Sequence, residues 1–285
     1  MKDLSQRRAI VTGASRGIGV YIARALADAG MELALVARSA EPIEALAAEL
    51  QSQGARAVAI AGDTGVAADR ERVVQRARQE LGPVDVLVNN AAVEWNGAFG
   101  GFSQDEIERT IHVDLTAPLL LTQLVLAEML ERGTGHIVNV SSLAGKGPAP
   151  YNVPYAAAKG GLVSFTQSLR AELRGTGVGV SVVCPGFVSE AGMFANKERD
   201  HGVVAPGLLG TSRPEAVARA VVRAIEGDKA ELIVNPGPMR LMGAAAQVFP
   251  DVQVRLVSRL GLGEIFREVG EKERKGGRDD PSDRR

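Results

Sequence analysis

The sequence predicts an α/β fold: a three-layer, doubly wound arrangement around a seven-stranded, mostly parallel sheet in a single domain. Three observations predict it. Short β-branched runs alternate with longer amphipathic stretches through residue 235, as repeated strand–helix–strand units do. The runs are near-continuous in Val, Ile, Leu and Ala, the pattern of strands covered on both faces. A glycine-rich loop follows the first run directly, and in such sheets ligands bind beyond the carboxyl ends of the strands.

The expected strands are RRAIVT (7–12), ELALVA (32–37), RAVAIA (56–61), VDVLVN (84–89), HIVNVS (136–141), VGVSVV (178–183) and AELIV (230–234). Helix-length segments fall between them at about 17–29, 41–53, 67–81, 103–131, 153–174 and 214–226. Residues 1–235 thus form the predicted core unit. Residues 236–270 carry apolar positions at helical spacing, broken by Pro236, Pro238 and Pro250. That pattern predicts a helical extension packed on the surface of the same domain; a lid over the site and a membrane-surface helix are the alternatives. The final stretch 271–285, EKERKGGRDDPSDRR, has six basic and five acidic side chains and no apolar residue, a disordered composition.

Composition excludes several classes. With 285 residues, 45% of them hydrophobic, and a formal charge of −1, the chain can bury a large core. Its charge balance offers no electrostatic reason to bind nucleic acid or anionic lipid. No uncharged apolar stretch reaches 18 residues, so no integral membrane segment is expected. The amino terminus, MKDLSQRRAIVTG, shows no secretory leader pattern. The single cysteine, Cys184, cannot form an internal disulfide, and a cytoplasmic location is expected. Cys184 reads as a small buried hydrophobe. His112, His136 and His201 are scattered without a ligand cluster, so no metal is expected.

The residues after the strands carry the chemistry. The first strand leads into Thr12-Gly13-Ala14-Ser15-Arg16-Gly17-Ile18-Gly19 and then a helix. Gly13 permits a tight turn; Gly17 and Gly19 let backbone amides and a helix N-terminus approach a pyrophosphate. The second strand ends at Arg38, where an acidic residue would hydrogen-bond a ribose 2′-hydroxyl. Arg38 and Arg16 instead suit a 2′-phosphate, which predicts NADP(H) in preference to NAD(H).

Downstream, Tyr155 and Lys159 stand four apart in YAAAK, a spacing that puts both on one helix face. A tyrosine hydroxyl ordinarily titrates near ~10, and an adjacent ammonium favours the phenolate, tuning it for proton transfer. Ser142, thirteen residues earlier, can hydrogen-bond a substrate oxygen as charge develops on it. Tyr151 and Ser141 are out of register with the pair. Trp95 either lines the pocket or packs. The presumed substrate loop, 187–212, holds Phe187, Met193, Phe194, Leu208 and Leu209, and with Val93 and Trp95 implies a pocket more apolar than ionic, suited to a ketone or secondary alcohol of moderate size.

Taken together, TGASRGIG at 12–19, Asp63, NNAA at 89–92, Ser142, YAAAK at 155–159 and PGFVS at 185–189 resemble the classical branch of the short-chain dehydrogenase/reductase family over roughly residues 7 to 235. The resemblance implies a Rossmann fold and a nicotinamide cofactor held by Gly13, Ser15, Arg16, Gly17, Ile18 and Gly19, with Arg38 at the ribose. It implies that Asp63 meets the adenine and Asn90 lies along the cofactor. Tyr155 and Lys159 would contact it too, and Pro185, Gly186, Val188 and Ser189 would hold the carboxamide. Ser189 stands where the family more often has threonine, and Ala92 where it often has glycine.

The family commonly completes a catalytic tetrad with asparagine, and here the matching residue is Asp114. It keeps the acceptor, adds charge and loses an amide donor. The implied activity is NADP(H)-dependent interconversion of a ketone and a secondary alcohol, in a homodimer or homotetramer. β-Ketoacyl reduction is one family possibility. Two rivals remain: an extended-branch epimerase or dehydratase, whose glycine spacing differs, and a cofactor-binding regulator, suggested by Asp114.

Overall fold

The structure, a computed structural model, describes residues 1–205, 207, 209–236, 250–259 and 261–276. Seven strands form one sheet: β1 (Arg8–Thr12), β2 (Glu32–Ala37), β3 (Ala57–Ala61), β4 (Val86–Asn89), β5 (Gly135–Val140), β6 (Val178–Pro185) and β7 (Glu231–Val234). Their order is β3-β2-β1-β4-β5-β6-β7, and every neighbouring pair is parallel. The connection reverses direction between β1 and β4, opening a crevice beyond Thr12 and Asn89, where such folds place ligands.

Alternation along the strands builds two cores. Ala9 and Val11 of β1, with Leu33 and Leu35 of β2, face one side. There they meet Ile22 and Leu26 of α1 (Ile18–Asp28), Ile43 and Leu46 of α2 (Ala40–Ser52), and Val217, Val221 and Ile225 of α8 (Pro214–Glu226). Ile10 and Ala34 face the other side. Their partners are Val73 and Ala77 of α3 (Ala67–Leu81), Leu121 and Val125 of α5 (Ala117–Arg132), and Leu169 of α6 (Val153–Glu172). Strands covered on both faces explain the unbroken apolar runs. At the sheet's other end, buried Asp85 accepts from Arg8 Nε at 2.7 Å and Arg132 Nη1 at 2.9 Å.

Three expectations change. The predicted helix at about 103–131 is interrupted: α4 (Gln104–Ile111) and α5 are joined by a π-helical segment, His112–Thr116. An i→i+5 insertion of this kind leaves no proline or glycine signature in HVDLT. The whole run Gln104–Arg132 is, by length and composition, long and apolar enough to cross a membrane. Yet Leu121, Val125 and Met129 are built into the second core.

The second change concerns 187–212, expected as a loop, which contains α7 (Met193–His201), bounded by Gly192 and Gly202 at positive φ. The third concerns the carboxyl-terminal stretch. α9 (Pro250–Arg259) and α10 (Leu262–Gly276) form helices there, so residues 271–276 continue a helix where a disordered tail was expected. Val269 of α10 is fully buried against Phe194 and Val203, an anchor that charge content alone does not reveal. Residues 277–285 and 237–249 lie outside the described residues.

Candidate functional site

One cavity of about 1060 Å³ runs along the carboxyl ends of the strands, from the glycine loop to helices α7, α9 and α10. At one end lie Gly13, Ser15, Arg16, Gly17, Ile18 and Gly19, with Arg38 and Asp63 beside them. Gly13 and Gly17 have φ of 68° and 61°, a region other residues rarely enter. A Cβ on Gly13 would stand 2.8 Å from the Ala91 Cα. The loop is therefore pressed against the NNAA segment, leaving the start of α1 open to an anionic ligand.

Side chains fix this loop from below. Thr12 Oγ1 accepts from the amides of Asn90 at 2.9 Å and Ala91 at 3.1 Å. Asn90 Nδ2 donates to the carbonyls of Thr12 at 3.0 Å and Gly13 at 3.2 Å. Asn90 lines the cavity, and its amide donors brace the turn. Asp63 accepts from the Gly65 amide at 2.8 Å and from Arg109 Nη2 at 2.6 Å. Arg109, which also lines the cavity, had no sequence signal.

At the cavity's middle, Ser142, Tyr155 and Lys159 line its wall. Proline at the start of α6 and the alanines after it set Tyr155 and Lys159 one turn apart. Lys159 Nζ stands 5.5 Å from the Tyr155 ring centroid and donates to the Val140 carbonyl at 3.1 Å. Ser141 Oγ donates to the Lys159 carbonyl at 2.9 Å, which gives Ser141 a bracing role. Asp114 does not line the cavity. It is fully buried behind it, on the π-helical segment. Its Oδ1 accepts from the Val93 amide at 2.8 Å and its Oδ2 lies 3.3 Å from Lys159 Nζ.

This arrangement corrects the simple expectation for Tyr155. Burial pushes its phenol well above the ordinary value, and the charges of Glu94 and Asp114 add to the effect, while a side-chain hydrogen bond with Ser142 opposes it. The ammonium of Lys159 faces Asp114, which offsets its pull on the phenol. Burial also raises Asp114 to about 6, against Lys159 and the Val93 amide, which lower it.

Pro185, Gly186 and Val188 line the cavity opposite Tyr155. Ser189 does not: its hydroxyl faces the Ser212 carbonyl at 3.5 Å, and its amide donates to the same oxygen at 3.1 Å. Val188 and Ser212 form a short bridge, which turns Ser189 away. Phe187, Met193, Phe194 and Leu209 contribute to the apolar end; Leu208 lies outside the described residues. Trp95 packs with Val93, Val113 and Phe102 instead of lining this cavity. Cys184 is fully buried, its thiol pushed up to about 12 by burial.

Within 236–270, the described helices α9 and α10 reach the cavity in addition to packing on the surface, as the lid alternative would have them. Val252, Gln253 and Val257 of α9 and Phe266 of α10 form part of the cavity wall. So do two charged residues without a sequence signal, Glu94 and Lys197.

The fold and the cavity define a dinucleotide-type α/β oxidoreductase. Residues 7–202 match the family model described as short chain dehydrogenase, and the chain belongs to that family. It is 41% identical over 282 residues to the ketoacyl reductase HetN of Nostoc sp., covering 97% of each chain. Among solved structures, a tryptophan variant of actinorhodin polyketide ketoreductase with NADPH superposes with a TM-score of 0.75 at 33% identity. That match covers 82% of this chain and 97% of the other. A blue fluorescent protein from a metagenomic library, in complex with NADPH, matches with a TM-score of 0.75 at 34% identity, over 82% and 98% of the two chains.

Proposed function

We propose that the protein is an NADP(H)-dependent oxidoreductase that interconverts a ketone and a secondary alcohol, with Tyr155 as general acid and base. The observation that carries this reading is the meeting, in one cavity, of the glycine cradle with the Ser142–Tyr155–Lys159 group. The cradle fits a dinucleotide: a Cβ at Gly13 would close the turn, and Arg16 and Arg38 line the same cavity, where two guanidinium groups would suit a 2′-phosphate. The two solved structures named above are complexes with NADPH. Bound there, the cofactor would supply or accept the hydride.

The chain's own residues do the rest. Ser142 and Tyr155 orient the substrate oxygen by hydrogen bonds. Tyr155 Oη gives that oxygen a proton during reduction and takes it back during oxidation. Lys159 holds positive charge at the phenol's flank, and Asp114, paired with it, regulates how much of that charge Tyr155 feels. Phe187, Phe194 and Phe266 exclude water from the apolar end. Residues 1–235 would form the catalytic unit, with helices α9 and α10 as its extension. A cytoplasmic homodimer or homotetramer is part of this reading, as is a small carbonyl compound, such as a β-ketoacyl group, for substrate.

A panel of ketones and secondary alcohols, followed by NADPH absorbance, tests the proposal. Turnover with NADPH exceeding that with NADH is expected. Tight NADPH binding with silence across the panel would favour a cofactor-binding regulator.

A further inference from the structure

A second buried charge pair sits in the cavity wall. Glu94 follows β4 in the loop beyond NNAA, and Lys197 lies on α7; Lys197 Nζ stands 2.7 Å from Glu94 Oε2. Their side chains are only 7% and 8% exposed. Asn152, at the start of α6, donates from Nδ2 to the other Glu94 oxygen. Lys197 also donates to Asn96 Oδ1 at 3.4 Å and lies 5.0 Å from the Phe266 ring centroid on α10. Four segments meet at one ion pair, facing the cavity that Tyr155 lines. Burying two charges carries a desolvation penalty that apolar residues would avoid, so stability alone is a weak reason for the pair.

We infer that Lys197 is a positioning residue for Tyr155: seated on α7, its ammonium neutralises the Glu94 carboxylate, so that α7 in place and a phenol able to exchange its proton belong to one state. The inference rests on the reading of Tyr155 as acid and base. The charges around Tyr155 support it. Glu94 and Asp114 are the two carboxylates that disfavour its phenolate, and each has a lysine partner, Lys197 and Lys159. Lys159 of α6 stands beside the phenol ring, and Glu94 of the loop after β4, Asp114 of the π-helical segment and Cys184 of β6 act on it electrostatically. Farther out on the cavity wall lie Lys146 paired with Glu231 at 2.9 Å, Asp200 and His201 of α7, and Glu273 of α10. Losing the Lys197 cation would leave the Glu94 charge uncompensated near Tyr155.

The test reads Tyr155 directly, without turnover. The chain has three tyrosines; tyrosine isotope-labelled at Cζ, with Tyr155→Phe for assignment, gives the Tyr155 titration by nuclear magnetic resonance in protein with NADP+ added. In Lys197→Met the midpoint should rise by about one pH unit, tenfold in the ionisation constant. Adding Glu94→Gln should return it to the wild-type value or below, and Lys197→Arg should leave it unchanged. Equal midpoints in wild type and Lys197→Met would overturn the inference, as would Lys197→Arg shifting like Met. If Lys197→Met fails to fold, Glu94→Gln alone decides: the midpoint must fall, and no change overturns it. A preserved shift in a protein silent on the ketone panel would support the coupling while removing the proposed reaction.

Discussion

Asp114 Oδ2 lies 3.3 Å from Lys159 Nζ, with Asp114 fully enclosed and Lys159 nearly so. Classical short-chain dehydrogenases usually place an asparagine at the corresponding position. The carboxylate here puts a titrating group directly behind the lysine, at the point where the cavity's charge is set.

That pair gives the first prediction. Asp114 titrates at about 6 in the fold against an ordinary 3.8. Above 6 its anion offsets Lys159; below 6 the lysine acts on Tyr155 unopposed. Turnover of wild type should therefore show an inflection near 6 that Asp114→Asn lacks. The folded value is raised, so the contribution to stability is full below 3.8 and is lost as pH rises through about 6. Unfolding free energies from denaturant titration should shift in favour of Asp114→Asn between pH 4 and pH 7, by on the order of 3 kcal/mol at most.

Tyr155→Phe removes only the hydroxyl. NADPH affinity, measured by fluorescence titration, should stay near wild type. Turnover of a verified substrate should fall by roughly 10²–10⁴-fold. Retained turnover would move the proton transfer to another group.

Arg38→Asp exchanges a phosphate partner for a ribose partner at the end of β2. The NADPH-over-NADH affinity ratio should drop by at least about tenfold, the scale of one lost charge-assisted hydrogen bond. An unchanged ratio would remove Arg38 from cofactor selection.

His136 reports on the fold alone. It is buried in β5, with Nε2 2.8 Å from Ser181 Oγ, and burial lowers it to about 4 from 6.5. Its stabilising contribution is present above 6.5 and lost as pH falls through about 4. His136→Gln should flatten the melting curve's pH dependence over that window. An unaltered slope would mean that other groups govern acid unfolding.

Much of this was legible because strand chemistry is local. The β-branched runs placed β2 at 32–37 without error, and β1, β3 and β7 to within one residue. The glycine loop and YAAAK carried their geometry in their spacing. Asp114 could be named from the sequence, but its seat behind the cavity depends on the π-helical segment, which no residue of HVDLT announces. Helix α7 was missed because MFANKERDH is mostly polar; the flanking Gly192 and Gly202 were the available signal. The Glu94–Lys197 contact joins residues 101 positions from Lys197 to Asn96 and slightly more to Glu94, a pairing that exists only after the sheet has formed. The orientation of Ser189 follows from the Val188–Ser212 bridge, which PGFVS does not announce.

Helix α10 reaches the cavity from the far end of the chain, after every strand of the sheet has been laid down. It contributes Phe266 to the ligand-facing wall and holds itself there through Val269. Its inward side chains can therefore be exchanged during evolution while strand pairing and the glycine turn stay untouched. Selectivity among carbonyl compounds becomes an inheritable variable separable from foldability at this helix.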